Sequence, residues 1–145
     1  MIRREDPDYD RRGRPFLGPA GALVLLVSLA VIGAVAVGYG LTQMRSQAAG
    51  RAQQLYYAGA AYLVDCASGR AEFAGQGTGD EVILSDPEVL ASYLDAPPTE
   101  PFELVISRQE RQALLARCTH RADLILGYFL EVTACFPPGS DPAGG

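Results

Sequence analysis

Three cysteines and one histidine are the residues of this chain whose chemistry is most specific. Cys118 and His120 lie two residues apart, while Cys66 and Cys135 are distant from them in the sequence. Three thiols and one imidazole are a donor set that zinc accepts, but this spacing matches no common zinc-binding knuckle. We therefore expect no metal site, and we expect His120 on a solvated helix end.

The same residues, Cys66, Cys118 and Cys135, are disulfide candidates if their domain lies in an oxidising compartment. Their odd number allows at most one bridge within the chain. A bridge between Cys118 and Cys135 would stabilise the fold by about 3 kcal/mol through chain entropy. If one helix covered 118–135, these cysteines would lie roughly 25 Å apart. A bridge from Cys66 to one of the other two would then be favoured, so the pairing stays open.

No other pattern predicts catalysis. The single histidine has no serine or carboxylate partner at a recognisable spacing, and the acidic residues are spread as on a solvated surface. The run Gly75-x-Gly77-x-Gly79 lacks the lysine and the strand–helix setting of a phosphate-binding loop. We expect a non-enzymatic protein that has no cofactor.

The elements that position these residues begin with thirty consecutive uncharged residues, Pro15 to Met44. A helix rises ~1.5 Å per residue, so about twenty apolar residues cross a hydrocarbon core of roughly 30 Å. The run is much longer than the apolar core of a secretory signal, and no polar cleavage region interrupts it. It predicts an uncleaved transmembrane helix over 16–44.

The arginines predict the orientation of this span. Five of them precede it within fifteen residues, whereas only Arg45 and Arg51 lie close behind it. Cytoplasmic flanks carry the excess of basic residues, so we expect a cytoplasmic tail over 1–15 and an inner-membrane protein with a periplasmic or extracytoplasmic domain. The part after Met44 carries a net charge of −6. This charge disfavours nucleic acid as a partner.

Small residues recur every fourth position within the span, at Ala30, Ala34 and Gly38. This spacing places three small side chains on one stripe of the helix. Such stripes let two membrane helices approach closely. They are therefore candidate helix-packing residues, and other membrane-protein subunits are the expected partners.

The span continues into a second, amphipathic helix without a helix breaker, over 45–66. Apolar or small residues recur there in steps of three or four, at Met44, Ala48, Ala52, Leu55, Gly59, Leu63 and Cys66. Tyr56, Tyr57 and Tyr62 broaden this apolar side. We expect one nearly continuous helix from about Phe16 to Cys66, with the tyrosines packed on the domain that follows.

The remaining residues predict a small domain over 81–138 behind a Gly-rich loop over 67–80. The expected elements, in chain order, are a strand at Glu81–Leu84, a helix at Pro87–Asp95, a strand at Phe102–Ile106 and a helix at Arg108–Thr119. The helix starts are indicated by Asp86-Pro87-Glu88 and by the capping box Ser107-x-x-Glu110. For Ala122–Phe136 we favour a helix over a buried strand. The tail over 139–145 has a disordered composition.

Together these elements predict a membrane-anchored, helix-rich α+β fold. It consists of one N-terminal transmembrane helix, its amphipathic continuation and a small domain. Because no catalytic group is apparent, we expect an accessory or assembly subunit of a larger membrane complex. A membrane-tethered module that binds a ligand or cofactor is another interpretation.

A further alternative follows from the order of the elements. A half-embedded helix of about fifty residues, a Gly-rich loop, a compact domain and two late cysteines resemble the outline of type IV pilins and pseudopilins. The resemblance implies a filament subunit. Pilins carry a glycine processing site followed by an aromatic residue, and a glutamate five residues into the mature helix. Neither Gly13 nor Gly18 is followed by that pattern.

Overall fold

The computed structural model describes residues 18–123 and 127–140. These residues fall into two units, the first ending at Tyr39 and the second beginning at Gly40. One long helix, α1 (Pro19–Ala67), contributes to both units. It confirms the predicted continuous helix, although the expected start at Phe16 lies outside the described residues.

In the first unit, α1 is apolar and exposed. Its large hydrophobic side chains from Leu23 to Tyr39 are all about half exposed or more, and no residue of the unit is buried. Pro19 occupies the first turn, where the missing backbone N–H costs no hydrogen bond. Among the described residues, α1 is the one helix long and apolar enough to cross a membrane.

In the second unit, one side of α1 is buried. The buried residues recur with helical spacing, as the sequence pattern predicts, at Ala48, Ala52, Leu55, Ala58, Gly59, Tyr62 and Leu63. Several of them are small, which lets the backbone of α1 approach its neighbours closely. At Gly59 an added Cβ atom would lie 2.3 Å from Cδ2 of Leu104. The helix is therefore closely packed on the domain at this point.

A four-stranded antiparallel sheet forms the rest of this unit. Its strands, in chain order and in spatial order, are β1 (Glu81–Leu84), β2 (Phe102–Ser107), β3 (Gln112–Asp123) and β4 (Phe129–Phe136). Each strand pairs with its neighbours in the chain. The predicted strands at Glu81–Leu84 and Phe102–Ile106 are confirmed.

The predicted helices at Arg108–Thr119 and Ala122–Phe136 are wrong, because Gln112–Asp123 forms β3 and Phe129–Phe136 forms β4. The capping contact itself exists: Oγ of Ser107 accepts a hydrogen bond from the backbone N–H of Glu110 at 3.1 Å. It closes the turn between β2 and β3 instead of opening a helix. Arg111 ends this turn in the left-handed region, with φ of 53°.

The predicted helix at Pro87–Asp95 is shorter than expected. It consists of α2 (Pro87–Leu90) followed by a 3₁₀ turn at Ala91–Tyr93. Its predicted start is confirmed, because Oδ1 of Asp86 accepts a hydrogen bond from the N–H of Glu88 at 2.9 Å.

The core of this unit lies between α1 and one face of the sheet. It contains Leu55, Tyr62 and Leu63 of α1 together with Leu84, Leu90, Phe102, Leu104, Ile106, Ala116 and Cys118. The domain after α1 is therefore built mainly on strands, so the expectation of a helix-rich domain is wrong for this part of the chain.

Candidate functional site

The candidate helix-packing residues lie on the exposed part of α1. Ala30, Ala34 and Gly38 are all exposed, and a Cβ atom added to Gly38 would meet nothing within 4 Å. Their spacing of four residues places them on one stripe of the helix.

No disulfide joins any of the three cysteines, which lie in three different surroundings. Cys118 is buried with Leu55 in the core. In the register of β3 and β4, Cys118 is opposite Ala134, and Cys135 is opposite Arg117. Since neighbouring residues of a strand point to opposite faces, Cys118 and Cys135 lie on opposite faces of the sheet. This arrangement does not favour a Cys118–Cys135 bridge.

A group of polar side chains surrounds Glu100. Its Oε2 atom lies 2.7 Å from Nη1 of Arg51 on α1. Its Oε1 atom is hydrogen-bonded to Nδ1 of His120, and Sγ of Cys118 donates to Oε2 at 3.9 Å. These residues, Arg51, Glu100, Cys118 and His120, are called the Glu100 cluster below. One carboxylate thus joins α1, the segment before β2, and β3.

Local structure explains how these residues meet. Cys118 and His120 are two residues apart on β3, so both point to the same face of the sheet. Glu100 precedes Pro101, whose carbonyl accepts a hydrogen bond from the N–H of Thr119 at 3.1 Å. This bond holds the segment before β2 against the middle of β3. The carboxylate of Glu100 is consequently only 16% exposed.

Burial and the neighbouring carboxylate control the thiol of Cys118. Burial, and then the negative charge of Glu100, raise its pKa from 9.0 to about 11, while the positive charge of Arg51 lowers it. The thiol therefore keeps its proton at neutral pH and donates it to Glu100. Only the thiolate is a good nucleophile or metal ligand, so this environment favours a structural thiol.

A groove with a volume of about 570 Å³ runs beside the Glu100 cluster. The side chains of Arg51 and Tyr57 form one wall, and the segment Tyr93–Glu100 with its pair Pro97-Pro98 forms the other. Tyr57 is 57% exposed, so the expected packing of this tyrosine on the domain is only partial. Its ring still contacts that of Phe136, with centroids 5.8 Å apart.

Two other tyrosines tie α1 to the loops. The hydroxyl of the buried Tyr62 donates to the carbonyl of Glu72 at 2.7 Å and accepts from the N–H of Ala74 at 2.8 Å. Burial is the main reason that its pKa is raised to about 12. Tyr93 donates to Oδ2 of Asp65 at 2.8 Å, which raises the pKa of that tyrosine. These contacts fix the loop after α1 and the 3₁₀ turn against the helix.

The described residues contain no group of three or more His, Cys, Asp or Glu side chains arranged to hold a metal ion. No protein-family model, curated protein or solved structure matches the chain.

Sequence reasoning missed the partner of the histidine. His120 was expected on a solvated helix end, but it lies on β3 with its side chain 17% exposed and bonded to Glu100. That expectation is wrong because the segment is a strand. The spacing Cys118-x-His120 would have indicated a shared strand face. No local pattern pointed to Glu100, which is eighteen residues from Cys118.

Proposed function

We propose that this chain is a non-catalytic, single-span membrane protein that serves as an accessory or assembly subunit of a larger membrane complex. The observation that carries the proposal is the exposed, apolar first part of α1. From Pro19 to Gly40 it has no charged residue and no buried side chain. Apolar surface of this extent needs a lipid or protein partner.

The proposed orientation follows from the arginines. The five arginines before the span favour a cytoplasmic N-terminus, which leaves the sheet domain in a periplasmic or extracytoplasmic space. Inner-membrane insertion and this orientation can be tested together by reporter fusions at either end of the chain. Alkaline phosphatase should be active when fused after Ser140, and a cytoplasmic fluorescent protein should be bright when fused before Met1.

Helix–helix contact is the proposed means of assembly. In lipid, helices associate through close van der Waals packing, for which small residues are suited. The stripe of Ala30, Ala34 and Gly38 provides such a surface on an exposed helix. The sheet domain supplies a second contact region, which includes the groove of about 570 Å³ beside the Glu100 cluster.

The test is purification of the full chain from native membranes in mild detergent, with identification of co-purifying subunits. Ala34→Ile should reduce their recovery because its larger side chain separates the helices. Ala36→Ile is the matched control, since it lies two residues further along, on the opposite side of the helix. Equal recovery with both variants would contradict the packing stripe. A monodisperse monomer without partners would contradict the assembly role.

A filament subunit is the second candidate, and a specific observation favours it. The C-terminal part of α1 packs against a four-stranded antiparallel sheet, so one long helix with an exposed apolar first part carries a compact domain, as in the outline that resembles type IV pilins. The mass of the mature chain distinguishes the two proposals. A mature N-terminus at or near the span supports the filament subunit, whereas an intact N-terminal tail supports the anchored accessory protein.

A further inference from the structure

A second cavity lies at the C-terminal end of α1, away from the residues of the Glu100 cluster. Its volume is about 320 Å³. Leu63 of α1, Phe73 of the following loop and Ile106 of β2 form apolar walls, and two arginines, Arg108 and Arg111, complete the lining. The volume is at the lower end of the range for small-molecule sites. Apolar walls with cationic groups are suited to an amphipathic anion.

The two arginines differ in their own contacts. Arg108 is fixed, because Nη2 donates to the carbonyl of Gly77 at 3.0 Å and its backbone N–H donates to the carbonyl of Asp80 at 2.7 Å. The side chain of Arg111 has no ion pair or hydrogen bond with any described residue. Its guanidinium therefore has all five donors available for a ligand.

Nearby acidic side chains are occupied by other donors. Oδ1 of Asp80 accepts from the N–H of Gln109 at 2.8 Å, and Oδ2 accepts from Oγ of Ser107 at 3.3 Å. The carboxylate of Glu110 is hydrogen-bonded to Nε2 of Gln112. None of these contacts involves Arg111, so its positive charge in the cavity lining has no counter-ion among the described residues.

The backbone of Arg111 gives an independent indication. A non-glycine residue with φ of 53° is uncommon, and such a conformation costs of order 1 kcal/mol. Glycine would hold the same turn without that cost. An arginine at a position better suited to glycine, which also lines a partly apolar cavity, points to a function for the side chain.

We propose that this cavity binds a small amphipathic anion, namely a carboxylate or phosphate ester with a short apolar body. The guanidinium of Arg111 binds the anionic group through two N–H donors, as planar guanidinium groups do. The apolar body lies against Leu63, Phe73 and Ile106. This binding activity is independent of the proposed assembly role, because it uses neither the exposed stripe of α1 nor the Glu100 cluster.

The test uses the full chain in nanodiscs of zwitterionic lipid and ligand-observed NMR. The probes are hydrocinnamate, phenyl phosphate and the uncharged hydrocinnamyl alcohol. We expect saturable binding of both anions and at least about tenfold weaker binding of the alcohol, since it has no negative charge to pair with the guanidinium. Absence of saturable binding by either anion, or equal affinity for the alcohol, would overturn the proposal.

Variants assign the binding to this cavity. Arg111→Gly should retain the fold, because glycine adopts the φ of this position readily, and should weaken anion binding at least about tenfold. Arg111→Lys keeps the charge and should bind with intermediate affinity. Arg121→Ala removes an exposed arginine of β3 that does not line this cavity, and this variant should bind as the unmodified chain does. Unchanged binding by Arg111→Gly would overturn the proposal.

A comparison of two nanodisc compositions distinguishes a free ligand from a lipid headgroup. Nanodiscs that contain phosphatidylglycerol should bind hydrocinnamate as well as the zwitterionic ones do. Competition by the anionic lipid would overturn the assignment to a free small molecule.

Discussion

Substituting Gly59 by alanine should destabilise the domain, although alanine is the better helix former. Gly59 lies in the middle of the buried side of α1. An added Cβ atom would lie 2.3, 3.1 and 3.3 Å from Cδ2, Cδ1 and Cγ of Leu104. The closest of these distances is far below van der Waals contact, so Leu104 must change its rotamer or α1 must move away from β2.

The magnitude follows from two opposing effects. Replacing glycine with alanine in a helix interior gains about 0.8–1 kcal/mol. Inserting a methyl group into a close-packed core costs typically 1–3 kcal/mol. Leu104 is 0% exposed, so its side chain has no solvent-filled space to move into. We therefore expect a net loss of about 1 kcal/mol in the free energy of unfolding.

Gly50→Ala is the matched control. It is the same substitution in the same helix, but Gly50 is exposed and its added Cβ atom would meet nothing within 4 Å. This variant should be more stable than the unmodified chain by up to about 1 kcal/mol. The two alanine variants should thus differ in stability by roughly 2 kcal/mol and have changes of opposite sign.

The assay is denaturant or thermal unfolding of the full chain in nanodiscs, followed by circular dichroism of the sheet. For a domain of about 100 residues, 1 kcal/mol corresponds to a shift in Tm of about 4–8 °C. A double variant sharpens the test: Leu104→Val should cost less in the Gly59→Ala background than alone, because it removes the clashing atoms. If Gly59→Ala is as stabilising as Gly50→Ala, the close packing of α1 on β2 is refuted.

Three further predictions concern the polar side chains. Tyr62→Phe should lower the free energy of unfolding by about 1–3 kcal/mol, because it leaves the N–H of Ala74 without its acceptor, whereas Tyr57→Phe should change it little. Folding raises the pKa of Cys118 from 9.0 to about 11, so the thiol's contribution to the free energy of unfolding should be fully present below pH 9.0. As pH rises through about 11, the free energy of unfolding should fall by roughly 2–3 kcal/mol. Cys118→Ala should flatten this slope in unfolding titrations, and an unchanged slope would refute the prediction. Glu100→Gln should lower the pKa of Cys118, and the pH dependence of its alkylation in the folded chain measures that shift.

The helix and the first two strands could be predicted because their patterns are unambiguous. The uncharged run and the spacing after Met44 agree only with a helix, and α1 follows both. Leu84 ends one short apolar run and Phe102 begins another, and each run lies between turn residues. These runs correspond to β1 and β2. In these segments the local preference and the tertiary packing point to the same structure.

The segments that form β3 and β4 could not be assigned by spacing because a step of four residues is ambiguous. Four residues are about one turn of a helix, but four is also an even number, so both residues share one face of a strand. Cys118 and Ala122 differ by four, and both point to the same face of β3. The capping contact from Ser107 was equally ambiguous, since the same hydrogen bond closes the β2–β3 turn.

The Glu100 cluster depends on that assignment. As a helix, 118–120 would direct Cys118 and His120 about 200° apart around its axis. As a strand, it directs both toward α1, where Arg51 and Glu100 complete the cluster. Pairing between segments distant in sequence therefore determined which polar groups meet, and no local pattern carries that information.

Small residues determine how closely α1 lies on the sheet. Ala48, Ala52 and Gly59 are buried on its packed side, and Leu104 of β2 occupies the space beside the glycine. A larger residue at Gly59 would move the helix axis outward, away from β2. The contact of Arg51 with Glu100, at 2.7 Å, depends on the same separation. The loss of packing in Gly59→Ala should therefore also weaken that ion pair, and the two variants Gly59→Ala and Glu100→Gln should be non-additive.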